Sequence, residues 1–145
     1  DDTFAATVEF ENGVVGTLEA SRLARGRINH NAFEVNGSRG SLAFDVERLN
    51  ELEVADERAF RRVLVTEPEH PFMSFWWPPG HIVGWGDTFT HEIHHLLTAI
   101  AGDGTVGPHG ATFEDGYRCA EVCDAIVRSA ESGKREEITY RGVEG

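Results

Sequence analysis

The chain has 145 residues, a length at which one compact core is the ordinary outcome and two complete domains are not. Thirteen Lys and Arg stand against 25 Asp and Glu, and the formal charge of −12 repels nucleic acid and anionic membrane, since the one dense basic group, Arg22, Arg25 and Arg27, is small. With 40% hydrophobic residues and nine Phe, disorder is excluded over most of the length, and no apolar run approaches the roughly 20 residues of a bilayer span. There is no basic-then-apolar leader, so a soluble, cytoplasmic protein is expected.

The first half has the period of strands. Phe4, Ala6, Val8 and Phe10 alternate with Thr3, Thr7 and Glu9, as in a strand buried on one face, and Glu11-Asn12-Gly13 turns the chain. A two-residue loop would pair Phe10 with Val15 and bring Glu19 onto the apolar face. A three-residue loop pairs Phe10 with Val14 and Ala6 with Leu18, keeps that face apolar, and asks Gly13 for a left-handed backbone. Arg22, Arg25, Arg27, Asn29 and His30 then form a polar connection able to face a ligand or water. Phe33, Val35, Leu42 and Phe44 repeat the hairpin logic around Asn36-Gly37-Ser38-Arg39-Gly40, and Leu52 to Val54 and Arg61 to Val65 supply two more strands. A sheet of about five or six mostly antiparallel strands is implied.

Glu67 to Gly86 is a loop carrying Pro68, Pro71, Phe75, Trp76, Trp77, Pro78, Pro79, Gly80, His81 and Trp85, too long and too apolar to be a passive linker. Two helices follow. Phe89, Ile93, Leu96, Leu97 and Ile100 fall at helical spacing and predict an amphipathic helix over Thr88 to Ala101, ended by Gly102. Thr112-Phe113-Glu114-Asp115 is a variant capping box opening a second helix, which turns Tyr117, Ala120, Cys123, Ile126, Val127 and Ala130 inward and stops at Gly133. Cys119 and Cys123, one helical turn apart, are too widely spaced for a disulfide and read as small buried apolar residues. Glu136 to Tyr140 predicts a final strand.

Three patterns bear on chemistry. His91-Glu92-Ile93-His94-His95 satisfies H-E-x-x-H, the spacing by which zinc peptidases present two imidazoles and a glutamate base. Here His91 and His95 lie opposite the Phe89, Ile93, Leu97 stripe and are expected to point to solvent or a partner, so no metal site is expected. Gly37, Gly40, Gly80, Gly84 and Gly86 fit no dinucleotide fingerprint, because none follows a parallel strand and opens a helix. No Gly-x-Ser-x-Gly elbow or cysteine nucleophile appears, and no catalytic residue is assigned. The aromatic loop is more informative: Trp faces stack on the apolar faces of sugars and ring polyols, and a neighbouring His or Arg bonds their hydroxyls. Packing against a sheet edge or an interface would use the same indoles.

Phe33-Glu34-Val35-Asn36-Gly37-Ser38-Arg39-Gly40-Ser41-Leu42, the preceding Ala20-Ser21-Arg22, Trp77-Pro78-Pro79-Gly80-His81, and Thr112-Phe113-Glu114-Asp115-Gly116 before a helix ending Ser132-Gly133-Lys134 resemble, in order and over nearly the whole chain, the C-terminal domain of the Gfo/Idh/MocA oxidoreductases. The resemblance implies an α+β domain of the dihydrodipicolinate-reductase-like C-terminal type, an open-faced, mostly antiparallel sheet with two main helices on one face. It further implies that 1–145 is one substrate-binding and oligomerisation domain, working beside an N-terminal Rossmann domain that holds NAD or NADP, on a sugar, sugar derivative or inositol. The glycine-rich nucleotide loop, the Glu-Lys-Pro lysine and the Asp-x-x-x-His pair of such enzymes would lie upstream of Asp1, so no cofactor is expected on this chain alone. The residues expected to line substrate are Arg27, Asn29, His30, Trp76, Trp77, His81 and Trp85. Two other classes stay open: a noncatalytic carbohydrate-binding or dimerisation module, and a small zinc hydrolase built on His91, Glu92 and His95.

Overall fold

A computed structural model describes residues 2–65, 67–102 and 104–141. Among them six strands precede two α-helices: β1 (Thr3–Glu9), β2 (Val15–Ser21), β3 (Ala32–Gly37), β4 (Gly40–Asp45), β5 (Glu51–Ala55), β6 (Phe60–Leu64), α1 (Trp85–Ile100) and α2 (Phe113–Ser132). The fold is α+β with antiparallel sheets. The strands form two separate ladders, β1-β2 and β3-β4-β5-β6, where the sequence suggested one sheet. The chain divides accordingly into two compact units, 1–24 with 98–145, and 25–97.

In the first unit, β1 and β2 take the register that keeps apolar side chains together, with Ala6 opposite Leu18 and Glu9 opposite Val15. The Phe10 and Val14 backbones close the three-residue loop at 2.8 Å, and Gly13 sits at φ 81°, a conformation that costs glycine little. Helix α2 opens on the expected capping box. The Thr112 hydroxyl accepts from the Asp115 amide at 3.2 Å, and the Asp115 carboxylate accepts from the Thr112 amide at 2.8 Å and from its hydroxyl at 2.7 Å. These bonds, the hydroxyl's first and the amide's next, hold the Asp115 carboxyl below its usual 3.8. At the other end, Gly133 at φ 66° donates its amide to Ser129.

Two expectations for this unit are corrected. Ala125 marks the buried side of α2, and Cys123 lies about 200° away around a helix of 3.6 residues per turn. Cys119 and Cys123 are therefore exposed free thiols, and Ala120, Val127 and Ala130 are exposed as well. No strand forms over 136–140: this stretch has no ladder partner among the described residues, and the Arg141 amide donates instead to the Tyr117 hydroxyl at 2.8 Å.

In the second unit, β3 to β6 form an antiparallel meander in which Phe33, Phe44, Leu52 and Val63 stand opposite one another in register. Two residues further on, Val35, Leu42 and Val54 continue the same apolar face, while Glu34, Glu53 and Arg62 occupy the other. Gly37 and Gly40 pair directly, so Ser38-Arg39 is a two-residue turn. Asp45 accepts the Glu47 amide at 2.9 Å and caps a single 3₁₀ turn, Val46–Arg48, before β5.

Helix α1 begins three residues earlier than its apolar spacing predicts. The Asp87 carboxylate accepts the Gly84 amide at 2.8 Å and supplies the missing acceptor of the first turn. Its apolar stripe, Phe89, Ile93, Leu96, Leu97 and Ile100, which amphipathic spacing places on the covered side, is instead 48–72% exposed. The flank that is covered carries histidines. No described helix is long and apolar enough to cross a membrane.

Candidate functional site

The segment from 67 to 84 is held at both ends of its aromatic run. Asn50, just before β5, donates through Nδ2 to the Val83 carbonyl and accepts the Val83 amide at Oδ1, both at 2.7 Å. Its side chain thus imitates a strand residue and pins a loop 33 positions away, leaving Val83 only 8% exposed. Nearer the start, a 3₁₀ turn at Met73–Phe75 buries Met73 to 4% exposure. Phe72 before that turn has φ 66°, a left-handed backbone that is costly for a residue with a Cβ.

Between these anchors lies an open hollow of about 600 Å³ lined by Trp76, Trp77, Gly80, His81, Ile82 and Asp87. Trp77, 69% exposed, has its ring centroid 6.1 Å from that of His81. His81 Nδ1 lies 2.7 Å from the Pro78 carbonyl. A carbonyl only accepts, so Nδ1 carries the proton of the neutral ring and Nε2 keeps a lone pair for a hydroxyl donor. An indole face, an imidazole acceptor and the Asp87 carboxylate together suit a ring polyol, which offers an apolar face and hydroxyl edges.

Three of the expected residues, Trp76, Trp77 and His81, therefore share one hollow. Trp85 does not line it; as the first residue of α1 it stands edge-on to Phe89, with centroids 5.8 Å apart. Arg27, Asn29 and His30 gather elsewhere, against the 3₁₀ turn after β4. Arg27 Nη1 and Asp45 Oδ1 lie 3.5 and 3.6 Å from His30 Nδ1, and the Asn29 amide donates to Glu47 Oε1 at 3.3 Å. Donor atoms of His30, Asp45 and Glu47 come within 4.8 Å of one another, a spacing open to a cation. Arg27 already holds a positive charge beside that imidazole, and both carboxylates already accept amides, so the group reads as a hydrogen-bonding rim.

The H-E-x-x-H run departs from its expectation. His91 and His95 do not face solvent: Phe72 lies over both, with centroids at 5.6 and 5.4 Å, and Trp76 meets His91 edge-on at 5.1 Å. Both histidines are half-buried, and His91 Nε2 is covered. Asn50, Phe72 and Asp87 escaped sequence reading, the first two for want of any pattern. Asp87 alone had a signal, an acidic side chain three residues after Gly84 at a helix start.

A dinucleotide cradle does not fit the described residues. Every ladder is antiparallel, and although Gly84 and Gly86 flank the start of α1, a loop precedes them. There the Asp87 carboxylate takes the Gly84 amide and sets a negative charge where a pyrophosphate would lie.

Residues 1–138 match the family model described as the C-terminal alpha/beta domain of the Gfo/Idh/MocA oxidoreductase family. Levoglucosan dehydrogenase of Pseudarthrobacter phenanthrenivorans is 44% identical in an alignment covering 90% of this chain and 34% of that protein. Among solved structures, an oxidoreductase domain protein from Kribbella flavida superposes with a TM-score of 0.87 at 41% identity, covering 97% of this chain and 37% of that one. A levoglucosan dehydrogenase in complex with NADH and levoglucosan gives 0.86 at 40% identity, over 97% of this chain and 39% of that one. The chain thus spans little more than a third of the length of these relatives.

Proposed function

Since the chain belongs to the Gfo/Idh/MocA oxidoreductase family, as its C-terminal alpha/beta domain, we propose that it forms the substrate-binding part of an NAD- or NADP-dependent dehydrogenase acting on a sugar, sugar derivative or inositol. The observation that carries this reading is the hollow of Trp76, Trp77, His81 and Asp87, whose mixture of ring face and hydrogen-bonding edge matches a cyclic polyol. In it, Trp77 stacks on the ring, His81 Nε2 accepts from a hydroxyl and Asp87 accepts from a second. Arg27, Asn29 and His30 form a second polar surface for the same class of ligand.

The nicotinamide would supply hydride transfer, and the residues described here do not form its pocket, so no step is assigned to them beyond binding and orienting substrate. Levoglucosan and myo-inositol, titrated against the chain with indole fluorescence as the readout, test the reading. Saturable binding that is lost in Trp77→Ala is expected; no response to either compound would overturn it. Calorimetry with NADH and NADPH should show no saturable binding, and micromolar affinity for either would remove the division of labour proposed here.

We also propose a homo-oligomer through the second face of β1 and β2. That face carries Thr7, Glu9, Val15, Thr17 and Glu19, with Val15 64% exposed, a mixed surface able to meet its own copy about a two-fold axis. Light scattering at micromolar concentration should give a dimer or higher species that Val15→Glu weakens; a monomer unaffected by the substitution would end the proposal.

A further inference from the structure

We propose that His91 is a positioning residue that fixes the Trp76 wall of the hollow, so that the histidine run of α1 serves as an aromatic seat. This rests on the reading of the hollow as the polyol site, and it assigns a role to a motif that reading leaves idle. Three rings descend on one flank of the helix. Phe72 stacks on His91 with 23° between the planes, Phe75 meets His91 edge-on at 6.3 Å and lies 5.3 Å from His94, and Trp76 closes on His91 at 5.1 Å and 80°.

The seat is bought with two irregularities. Phe72 takes its left-handed backbone just where the chain must bend to lay its ring on the helix. His91 Nε2 and Trp76 Nε1 are both covered and without a hydrogen-bond partner among the described residues, so neither of these nitrogens anchors its ring. The contacts described above are between rings, and a phenylalanine at 91 could make the same ones. A metal using His91 Nε2 would have to displace what covers that nitrogen. Trp76 is the shared element: one side of the indole meets His91 and the same residue lines the hollow.

Nuclear magnetic resonance of the chain labelled with 5-fluorotryptophan resolves the test, with the Trp76 signal assigned by Trp76→Phe. In His91→Ala the Trp76 resonance should move, in His91→Phe it should return toward its original position, and in Glu92→Gln it should stay. Glu92 is exposed on the same helix and serves as the control for a substitution that touches none of these rings. Levoglucosan then serves as the probe in the same samples. His91→Ala should weaken its binding about five- to tenfold, as expected for one lost aromatic contact, and His91→Phe should restore it. A Trp76 resonance unmoved in His91→Ala, or affinity unchanged despite a moved resonance, would overturn the positioning role. If levoglucosan and myo-inositol both fail to shift any indole of the unsubstituted chain, the polyol reading falls, and the resonance comparison still decides whether His91 positions Trp76.

Discussion

Replacing Asn50 by Ala removes both bonds that tie Val83 to the strand side of the second unit, each 2.7 Å long. A protein hydrogen bond contributes about 1 kcal/mol net, and a buried peptide group left without a partner costs about 1–3 kcal/mol more. Val83 is 8% exposed, so water reaches its amide and carbonyl poorly, and the two bonds with part of that penalty give roughly 2–3 kcal/mol. For a domain of this size that corresponds to a fall in Tm of roughly 6–12 °C. Asn50→Asp separates the two bonds. Its carboxylate still accepts the Val83 amide, but when ionised it opposes the Val83 carbonyl, to which the protonated acid donates. The folded variant thus holds its proton more tightly than the unfolded chain. The stability lost at neutral pH returns as pH falls through the carboxylate range. Urea and thermal unfolding of the three proteins at neutral and acidic pH measure this. A Tm for Asn50→Ala within about 2 °C of the parent, or an Asn50→Asp curve with the same pH dependence as the parent, would refute the clamp.

At Gly40, φ is 154° and an added Cβ would stand 2.3 Å from the Ala55 carbonyl oxygen, so Gly40→Ala must push β4 away from β5. A loss of roughly 2–4 kcal/mol is expected by urea unfolding, and a neutral substitution would show that this edge yields freely. The Asp115 carboxyl is held below 3.8, so its contribution to α2 is complete above that value and disappears as pH falls through the lower folded value. Amide exchange at 113–116 should accelerate there, and Thr112→Val should flatten the change; equal slopes in the two proteins would deny the box this role. Cys119 and Cys123 should both react with a thiol reagent in the folded chain, whereas two protected thiols would restore the buried assignment.

The hairpins were legible because each rests on a local conflict that only one register resolves. Placing Phe10 opposite Val14 keeps Glu19 off the apolar face, and Gly13 can take the backbone that this demands. The start of α2 was legible for the same reason, since Thr112 and Asp115 answer each other within one turn. Helix α1 shows where this kind of reading stops. Its spacing locates an apolar stripe and a histidine flank, but periodicity carries no information about which flank another segment will cover, and imidazole rings stack as readily as they hydrate. In α2, likewise, the spacing around Cys123 named an apolar face without saying that Ala125 would mark the buried one. The candidate site was half visible: Trp76, Trp77 and His81 announced themselves by composition. Asn50 did not, because a side chain that bonds to backbone groups leaves no trace in the identity of its partner.

Anchoring the 67–84 segment by the 3₁₀ turn that buries Met73 and by the backbone of Val83 makes its middle an exchangeable cassette. Neither fixed point depends on what occupies positions 76–82, and lengthening a closed loop costs only about 0.6 kcal/mol per doubling. On the polyol reading proposed above, residues between the anchors can be exchanged, indole for amide or imidazole for hydroxyl, to change which polyol is admitted while β3 to β6 fold as before.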